Sequence, residues 1–451
     1  MRVLEAKLLN GTPQQYQALD EAIRTAQFVR NKCLRHWMDR QGVNRATLYS
    51  LCKDLAREFP FAQKLNSQAR QASAERAWSA ISNFYRRCKE KAARKGYPKF
   101  QKHCRSVEYK LSGWKLSPDG MSITFTDGFQ AGTFALYCNG EARRDILTLK
   151  INRVRVIRRA DGYYAQFCLD VERREQVEYT SQAVGLDMGL MHFYTDSDGN
   201  KVECPKFLRR AERRLKREQR RLSRKLRTPS RLRERRGAKP QSKNYHKQRQ
   251  RLGKVHLKIQ RQRRDWVIKL ARCVVASHDV VAYEDLQVRN LVRNHHLAKS
   301  IHDASWSLFT GWLDYYGKVF NKVVVAVPPQ YTSQDCSQCG HRVKKTLSTR
   351  THRCPRCGVV FALASRSEID RDENASINIL RRGLELLGEE WNNGTFGQKG
   401  TALKGGTPGE TSTAAVEGQP DTVSAVAEPG TRIPCLYAGE HVKSPKRLTE
   451  P

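Results

Sequence analysis

Apolar and polar positions alternate from the start of the chain. Arg2-Val3-Leu4-Glu5-Ala6-Lys7-Leu8-Leu9 has the two-residue period of a β-strand, read here as an edge strand, and Asn10-Gly11-Thr12-Pro13 ends it at a helix start. From about Gln14 to Arg94 the apolar period lengthens to that of a helix, as in Trp78, Ile81, Phe84 and Tyr85, with Arg86, Arg87, Lys89 and Lys91 close behind. The pattern predicts a basic helical domain over residues 11–100, broken near its end by Gly96-Tyr97-Pro98-Lys99-Phe100. Strand-like segments then return at Met121–Phe125, Phe134–Tyr137, Leu147–Ile151, Val154–Ile157 and Tyr163–Val171. Short strands separated by turns predict a small barrel or sandwich over residues 101–180, completed by residues 1–10.

From about Ser181 strands and helices alternate. An apolar strand, Val184-Gly185-Leu186-Asp187-Met188-Gly189-Leu190, leads into a hairpin in which His192–Thr195 and Lys201–Glu203 flank Asp196-Ser197-Asp198-Gly199-Asn200. Lys and Arg dominate from Lys206 to Arg264, and Leu208, Leu215, Leu222 and Leu226 recur at helical intervals, which predicts two long basic helices joined near Arg236–Pro240. A strand ending in Glu284-Asp285-Leu286, a helix over Asp303–Phe320, a strand at Lys322–Pro328 and a last helix at Asp372–Leu387 follow. This succession predicts a multidomain α/β protein with an RNase H-like domain over 181–335 and 359–391, interrupted by an insert at 336–358. Beyond about Asn392 the chain is rich in Gly, Thr, Ser, Pro and Ala, and residues 392–451 are expected to be a disordered tail.

Charge narrows the function. The 451-residue chain carries 83 Lys and Arg against 45 Asp and Glu, a formal net charge of +38. Such an excess calls for a polyanionic partner, since phosphate neutralisation releases condensed counterions. No run approaches the roughly 18 apolar residues of a membrane span, and Met1–Lys7 lacks the layout of a signal peptide, so a membrane is not expected as partner and an intracellular, cytoplasmic protein is. Of the 13 cysteines, four are paired as Cys-x-x-Cys and nine are isolated, which fits reduced thiols.

Three acids and four cysteines carry the candidate chemistry. Asp187 lies on a strand, Glu284 ends another, and Asp370-Arg371-Asp372 opens the last helix. Singly each has a plain explanation: an Asp beside glycine turns or caps, Glu-Asp after a strand caps the next helix, and Asp370 can be the N-cap that leaves Asp372 in the first turn. Together, Asp187, Glu284 and Asp372 converge where such a sheet would hold two Mg²⁺ ions, which activate water and stabilise a leaving oxygen in phosphodiester cleavage. Cys336, Cys339, Cys354 and Cys357, with fourteen residues between the two pairs, have zinc-ribbon spacing; four thiolates leave no open position, so the expected Zn²⁺ is structural. The basic helices carry few acids for i,i+4 pairing and would repel themselves unless a polyanion lay along them, which nominates Arg213, Arg214, Arg217 and Arg220. Among Trp78, Tyr85 and Tyr109 nothing selects a base-stacking ring, and none is assigned.

Leu186-Asp187-Met188-Gly189-Leu190, Pro205-Lys206-Phe207-Leu208-Arg209-Arg210, Glu284-Asp285-Leu286, Thr332-Ser333-Gln334-Asp335-Cys336-Ser337-Gln338-Cys339-Gly340 and Asp370-Arg371-Asp372-Glu373-Asn374-Ala375 together resemble TnpB, the insertion-sequence-encoded relative of type V CRISPR effectors. The resemblance covers residues 1–390. It implies a RuvC-like nuclease domain, a wedge-type β-barrel, a helical recognition domain and a zinc-ribbon insert. It further implies RNA-guided, Mg-dependent cleavage of double-stranded DNA for a transposable element in a prokaryotic cell, with guide RNA as a partner, and places Arg350 near the cleaved strand. A cleavage-deficient guided repressor and a transposase-type strand transferase are the alternatives. One departure is the eleven-residue stretch Val359–Ile369 before the last acidic motif, where the family carries only a few residues.

Overall fold

The computed structural model describes residues 2–226, 241–346, 348–357 and 369–388. The expected helix junction near Arg236–Pro240, nearly all of the 359–369 stretch and the tail at 392–451 lie outside the described residues. The chain forms two compact units, the first ending at Arg173 and the second starting at Arg174. No helix among the described residues is long and apolar enough to cross a membrane.

In the first unit, β1 (Arg2–Leu9) is followed by four helices, α1 (Pro13–Asp39), α2 (Arg45–Glu58), α3 (Pro60–Lys64) and α4 (Ser67–Lys89). Then come β2 (Ser106–Tyr109), β3 (Trp114–Leu116), β4 (Ser122–Phe125), β5 (Gly132–Tyr137), α5 (Gly140–Thr148), β6 (Ile151–Arg159) and β7 (Gly162–Leu169). The strands make one sheet in the order β2-β6-β7-β1-β5-β4-β3. β1 is therefore central, not an edge: it pairs antiparallel with β7 from Arg2↔Leu169 to Lys7↔Tyr164 and with β5 at Lys7↔Tyr137 to Leu9↔Ala135. Its partners lie more than a hundred residues away, so no local pattern announces them. The expected strand at Leu147–Ile151 is also corrected. Asn139 accepts the Ala142 amide at 2.9 Å and starts a helix that buries Ala142 and Ile146, four apart, and β6 begins only at Ile151. The two end strands are unpaired with each other, yet Tyr109 on β2 packs its ring 5.5 Å from Phe125 on β4 and donates to Asp127 at 2.7 Å. The sheet is thus strongly curled and only partly closed.

Local signals suffice for α1. Thr12 and Gln15 form a capping box, and Pro13 occupies the first turn. Its first half buries Leu19, Ala22, Ile23 and Ala26 in the core under the sheet, and its second half sends Val29, Cys33, Leu34 and Trp37 into a helical core with α2 and α4.

The second unit is built on β8 (Ala183–Met188), β9 (His192–Asp196), β10 (Lys201–Glu203), β11 (Val280–Glu284) and β12 (Val323–Val327), ordered β10-β9-β8-β11-β12. β8, β11 and β12 run parallel, with β9 and β10 antiparallel at one side. Between these strands lie α6 (Phe207–Arg224), α7 (Lys243–Ser277), the short α8 (Val288–Leu291), α9 (His295–Ala304) and α10 (Trp306–Phe320). The helix expected around Asp303–Phe320 is present and begins at Trp306, because Ser305, with a left-handed φ of +59°, separates it from α9. A two-stranded ribbon, β13 (Thr351–His352) with β14 (Ile369–Asp370), precedes α11 (Arg371–Leu387).

Side-chain parity sorts the two faces of this sheet. Val281 and Tyr283, with Val184 and Leu186, face the large core made by α7 and α10, including Val267, Ala271, Phe309 and Trp312. Ala282 packs with Val327 and Ile379 on the face covered by α11. The helix lies unusually close there: a Cβ at Gly185 would sit 2.1 Å from the Ser376 carbonyl oxygen, and one at Gly383 2.6 Å from Ala282 Cβ. Two glycines, one on each side of the contact, set the depth at which α11 rests on the strands.

Candidate metal sites

Gly185 pairs with Ala282 and Leu186 with Tyr283 between β8 and β11, so the next step along both strands places Asp187 beside Glu284. Asp187 is two residues beyond Gly185 and Glu284 two beyond Ala282, so both carboxylates project from the α11 face at the carboxyl ends of parallel strands, where ligands of open α/β sheets bind. Burial, then the charges of Glu284 and Asp372, push the Asp187 carboxyl well above its ordinary range, with Arg371 opposing. Glu284 is also pushed up by burial, opposed by a 2.5 Å hydrogen bond from Thr332 Oγ1 and by Arg382.

α11 delivers the third acid. Asp370 is its N-cap, accepting the Asp372 amide at 2.8 Å and the Glu373 amide at 3.4 Å. Lys201 Nζ is 2.8 Å from Asp370; burial would raise that carboxyl, but the Lys201 and amide hydrogen bonds bring it below its ordinary value. Asp372 lies in the first turn, with Arg371 at 2.8 Å and Arg350 at 3.6 Å. Arg350 is thus placed beside an acid of the trio. Among the described residues the cysteines are the one group whose ligand atoms all lie within 4.8 Å of one another, so the three acids share a neighbourhood without so tight a cluster.

The four cysteines are gathered. Cys336 Sγ is 3.6 Å from Cys357 Sγ, and Cys339 Sγ is 3.5 Å from Cys354 Sγ. A disulfide would need about 2.05 Å, whereas a tetrahedron with Zn–S near 2.3 Å requires S–S separations of about 3.7 Å. The geometry fits one four-coordinate zinc. At Cys354, burial raises the thiol, but the amides of Cys357 and Arg356 and the neighbouring thiols bring it down to about 7, favouring the thiolate a metal binds. Cys336 and Cys354 pack with Ile369, and Ile377 of α11 packs against them, so the ribbon's small core is continuous with the helix that carries Asp372.

A set of polar residues that the sequence reading did not single out ties ribbon and acids together. Asn374, Ser376 and Asn378 on α11 are fully buried. Asn374 donates to the Asp335 carbonyl at 2.8 Å and accepts the Ser337 amide at 3.0 Å, while Asn378 donates to the Thr332 and Asp335 carbonyls at 2.9 and 2.7 Å. Arg382 reaches the Gln330 carbonyl at 2.6 Å and the Asp335 carboxylate at 3.0 Å. The segment entering the ribbon is therefore pinned to α11, and it carries Thr332, the donor to Glu284. The available signal was Asn374 and Asn378 at i,i+4 on a helix, both too polar for the buried face they occupy.

On α6, Leu215 and Glu218 turn inward against α7, where Gln248 donates to Glu218 at 2.7 Å. Arg213, Arg214, Arg217 and Arg220 are exposed. Arg213, Lys216, Arg217, Arg220, Arg221 and Arg224 line one shallow groove, and Arg214 stands outside it.

Strand-end acids on a mixed sheet, with a four-cysteine ribbon threaded ahead of the last acid, define an α/β protein with two candidate metal sites. Residues 166–295 match the family model OrfB_IS605, "Probable transposase", and residues 306–379 match "Cas12f1-like, TNB domain". A "Putative RNA-guided DNA endonuclease" of Streptomyces pristinaespiralis is 34% identical over 46% of this chain and 46% of its own, so the chain spans about half the length of that relative. The Escherichia coli K12 "Putative RNA-guided DNA endonuclease InsQ" is 28% identical over 71% of this chain and 75% of its own. A solved Cas12f1 in complex with sgRNA and target DNA aligns over 81% of both chains at 14% identity and a TM-score of 0.47. Over these segments the chain is similar to TnpB-type proteins.

Proposed function

We propose that the chain is an RNA-guided DNA endonuclease of a transposable element, with its second unit a RuvC-like, RNase H-like nuclease domain and its first a wedge barrel carrying a helical recognition layer. The observation that carries the reading is the β8–β11 register, which sets Asp187 and Glu284 side by side under the first turn of α11. Three carboxylates are hard oxygen donors suited to Mg²⁺, and the carboxyls of Asp187 and Glu284 stay raised by burial even with Arg371 and Arg382 opposing. Two Mg²⁺ ions held by Asp187, Glu284 and Asp372 would supply water activation and leaving-group stabilisation. Thr332 orients Glu284, Asp370 caps the helix whose first turn bears Asp372, and the zinc ribbon fixes the segment bearing Thr332. Arg350 lies where a scissile phosphate beside Asp372 would meet it. Guide RNA pairing reads the target in double-stranded DNA while protein contacts hold the heteroduplex backbone, in the cytoplasm of a prokaryotic cell.

The test compares cutting and binding of a matched target by wild type, Asp187→Ala, Glu284→Ala, Asp372→Ala and Asp370→Ala, with RNA and Mg²⁺ supplied. The first three variants are expected to bind and not cut. Asp370→Ala is expected to cut and to lose about 1 kcal/mol of stability, the usual cost of an N-cap. Wild type that binds and never cuts would install the repressor reading, and strand-joined products with donor and target DNA would install the transferase.

A further inference from the structure

The helical layer of the first unit holds an aromatic cleft that the chemistry above does not use. Trp37 at the end of α1, the Gln41-Gly42-Val43 turn, Phe84 and Tyr85 on α4, and Tyr97 in the extended segment beyond it line a cleft of about 650 Å³, inside the roughly 300–1,000 Å³ of small-ligand sites. Ring centroids lie 5.5 Å apart for Trp37–Tyr97, 5.3 Å for Phe84–Tyr97 and 5.9 Å for Trp37–Tyr85, and Trp37 Nε1 donates to the Tyr85 hydroxyl at 2.8 Å. Trp37 is anchored in the helical core, but Tyr85 and Tyr97 are 50% and 54% exposed. Tyr109, a ring that packs inside the sheet core, is by contrast wholly buried. Gly42, at φ +69°, has nothing within 4 Å of where a Cβ would be, which leaves that wall open.

The rim is cationic. Arg40 lines the cleft and the Arg87 guanidinium lies against Gly96 next to Tyr97, while Arg86, beside Tyr85 on α4, is 4.0 Å from Glu90. The one acid of the lining, Asp39, sits 3.6 Å from Arg35. Open π-faces inside a basic rim match a ligand that is planar, aromatic and anionic at its edge, which is a nucleotide. We propose that this cleft takes one unpaired nucleobase of the bound nucleic acid, stacked on Tyr97 and Tyr85 with its phosphates towards the rim. The inference rests on the nucleic-acid reading above and adds a base-holding site to it.

The experiment uses the full chain with the RNA recovered from its own purification, transcribed with 5-iodouridine, and in a second arm a matched DNA target carrying 5-iododeoxyuridine. Long-wavelength irradiation followed by peptide mapping is expected to attach the RNA or the DNA, whichever supplies the base, to Tyr85 or Tyr97. Tyr85→Ala and Tyr97→Ala are expected to weaken binding of that strand roughly fivefold to hundredfold, the range for loss of one stacked base. Tyr85→Phe and Tyr97→Phe should retain it. Because no charge is removed, the salt dependence of binding should keep its slope in the alanine variants. Cross-links confined to other residues in both arms, or alanine variants that bind as wild type does, overturn the proposal while leaving the nuclease reading intact. Failure of the protein to retain any RNA sinks both.

Discussion

Position 185 decides the geometry of the site without touching a substrate. An Ala there would press its methyl carbon onto the backbone of α11, 2.1 Å from the Ser376 oxygen and 2.6 Å from the Leu380 nitrogen, and backbone cannot swing aside as a flexible side chain can. The helix must lift, and the turn bearing Asp372 lifts with it. Gly185→Ala is therefore expected to cost at least the 1–3 kcal/mol of an overpacked core and to abolish cutting with all three acids intact. Thermal unfolding and a cleavage assay check both parts, and full activity at wild-type stability would refute the account. The sequence places Gly185 in an apolar strand two residues before an acid and shows nothing of Ser376, so the close approach of the helix is not legible there. Asp187, Glu284 and the cysteines were legible for the opposite reason: strand ends and Cys-x-x-Cys spacing are local patterns. Asp372 was legible only through Asp370, whose capping role follows from its place before a helix.

At the scale of elements, what the sequence reveals divides along the same line. α1 announces itself through Thr12, Pro13 and Gln15, whereas the central place of β1 depends on partners far along the chain. The join between helices and sheet in the first unit is likewise non-local. Glu108 on β2, 4% exposed, is met by Arg76 of α4 at 3.2 Å and by Arg153 and Arg155 of β6 at 2.7 and 2.9 Å. Burial works to raise its carboxyl, but the three arginines hold it down to about 2. The unfolded chain would titrate near 4.3. A depressed folded value contributes stability above the unfolded value and loses it as pH falls towards 2, here roughly 3 kcal/mol. Glu108→Gln should lose stability of that order at pH 6 and converge on wild type near pH 2; parallel stability curves across that window would exclude the linkage. The ribbon supplies a second test. Purified protein should carry one zinc per chain by elemental analysis, and chelation should loosen the ribbon locally, since metal binding and folding are coupled. Hydrogen exchange around Cys336 and Cys354 that ignores the chelator would reject a structural metal.

For the whole molecule, the surplus of 38 positive charges is the property most directly readable from composition, but composition cannot say which cations face a nucleic acid and which complete internal pairs. The structure separates them. Arg153 and Arg155 are engaged with Glu108, and Arg263 with Asp303 at 2.8 Å, so they hold the fold together. α6 instead turns its leucine and glutamate inward and leaves a row at i, i+4, i+7 and i+11, Arg213, Arg217, Arg220 and Arg224, along one open groove, with Arg217 also 3.7 Å from Glu218. Each arginine that neutralises a phosphate releases counterions and contributes roughly 0.7–0.9 to the slope of log affinity against log salt. Arg213→Gln, Arg217→Gln and Arg220→Gln combined should flatten the slope for RNA by about two to three. Arg214, equally exposed but off the groove, should change it little when replaced alone. RNA binding measured from low to moderate salt for the triple variant, Arg214→Gln and wild type decides between two kinds of surface. A slope untouched by the triple variant would mean that the groove faces only water, and an equal effect from Arg214 would mean that α6 attracts RNA by diffuse charge, with no track for the backbone.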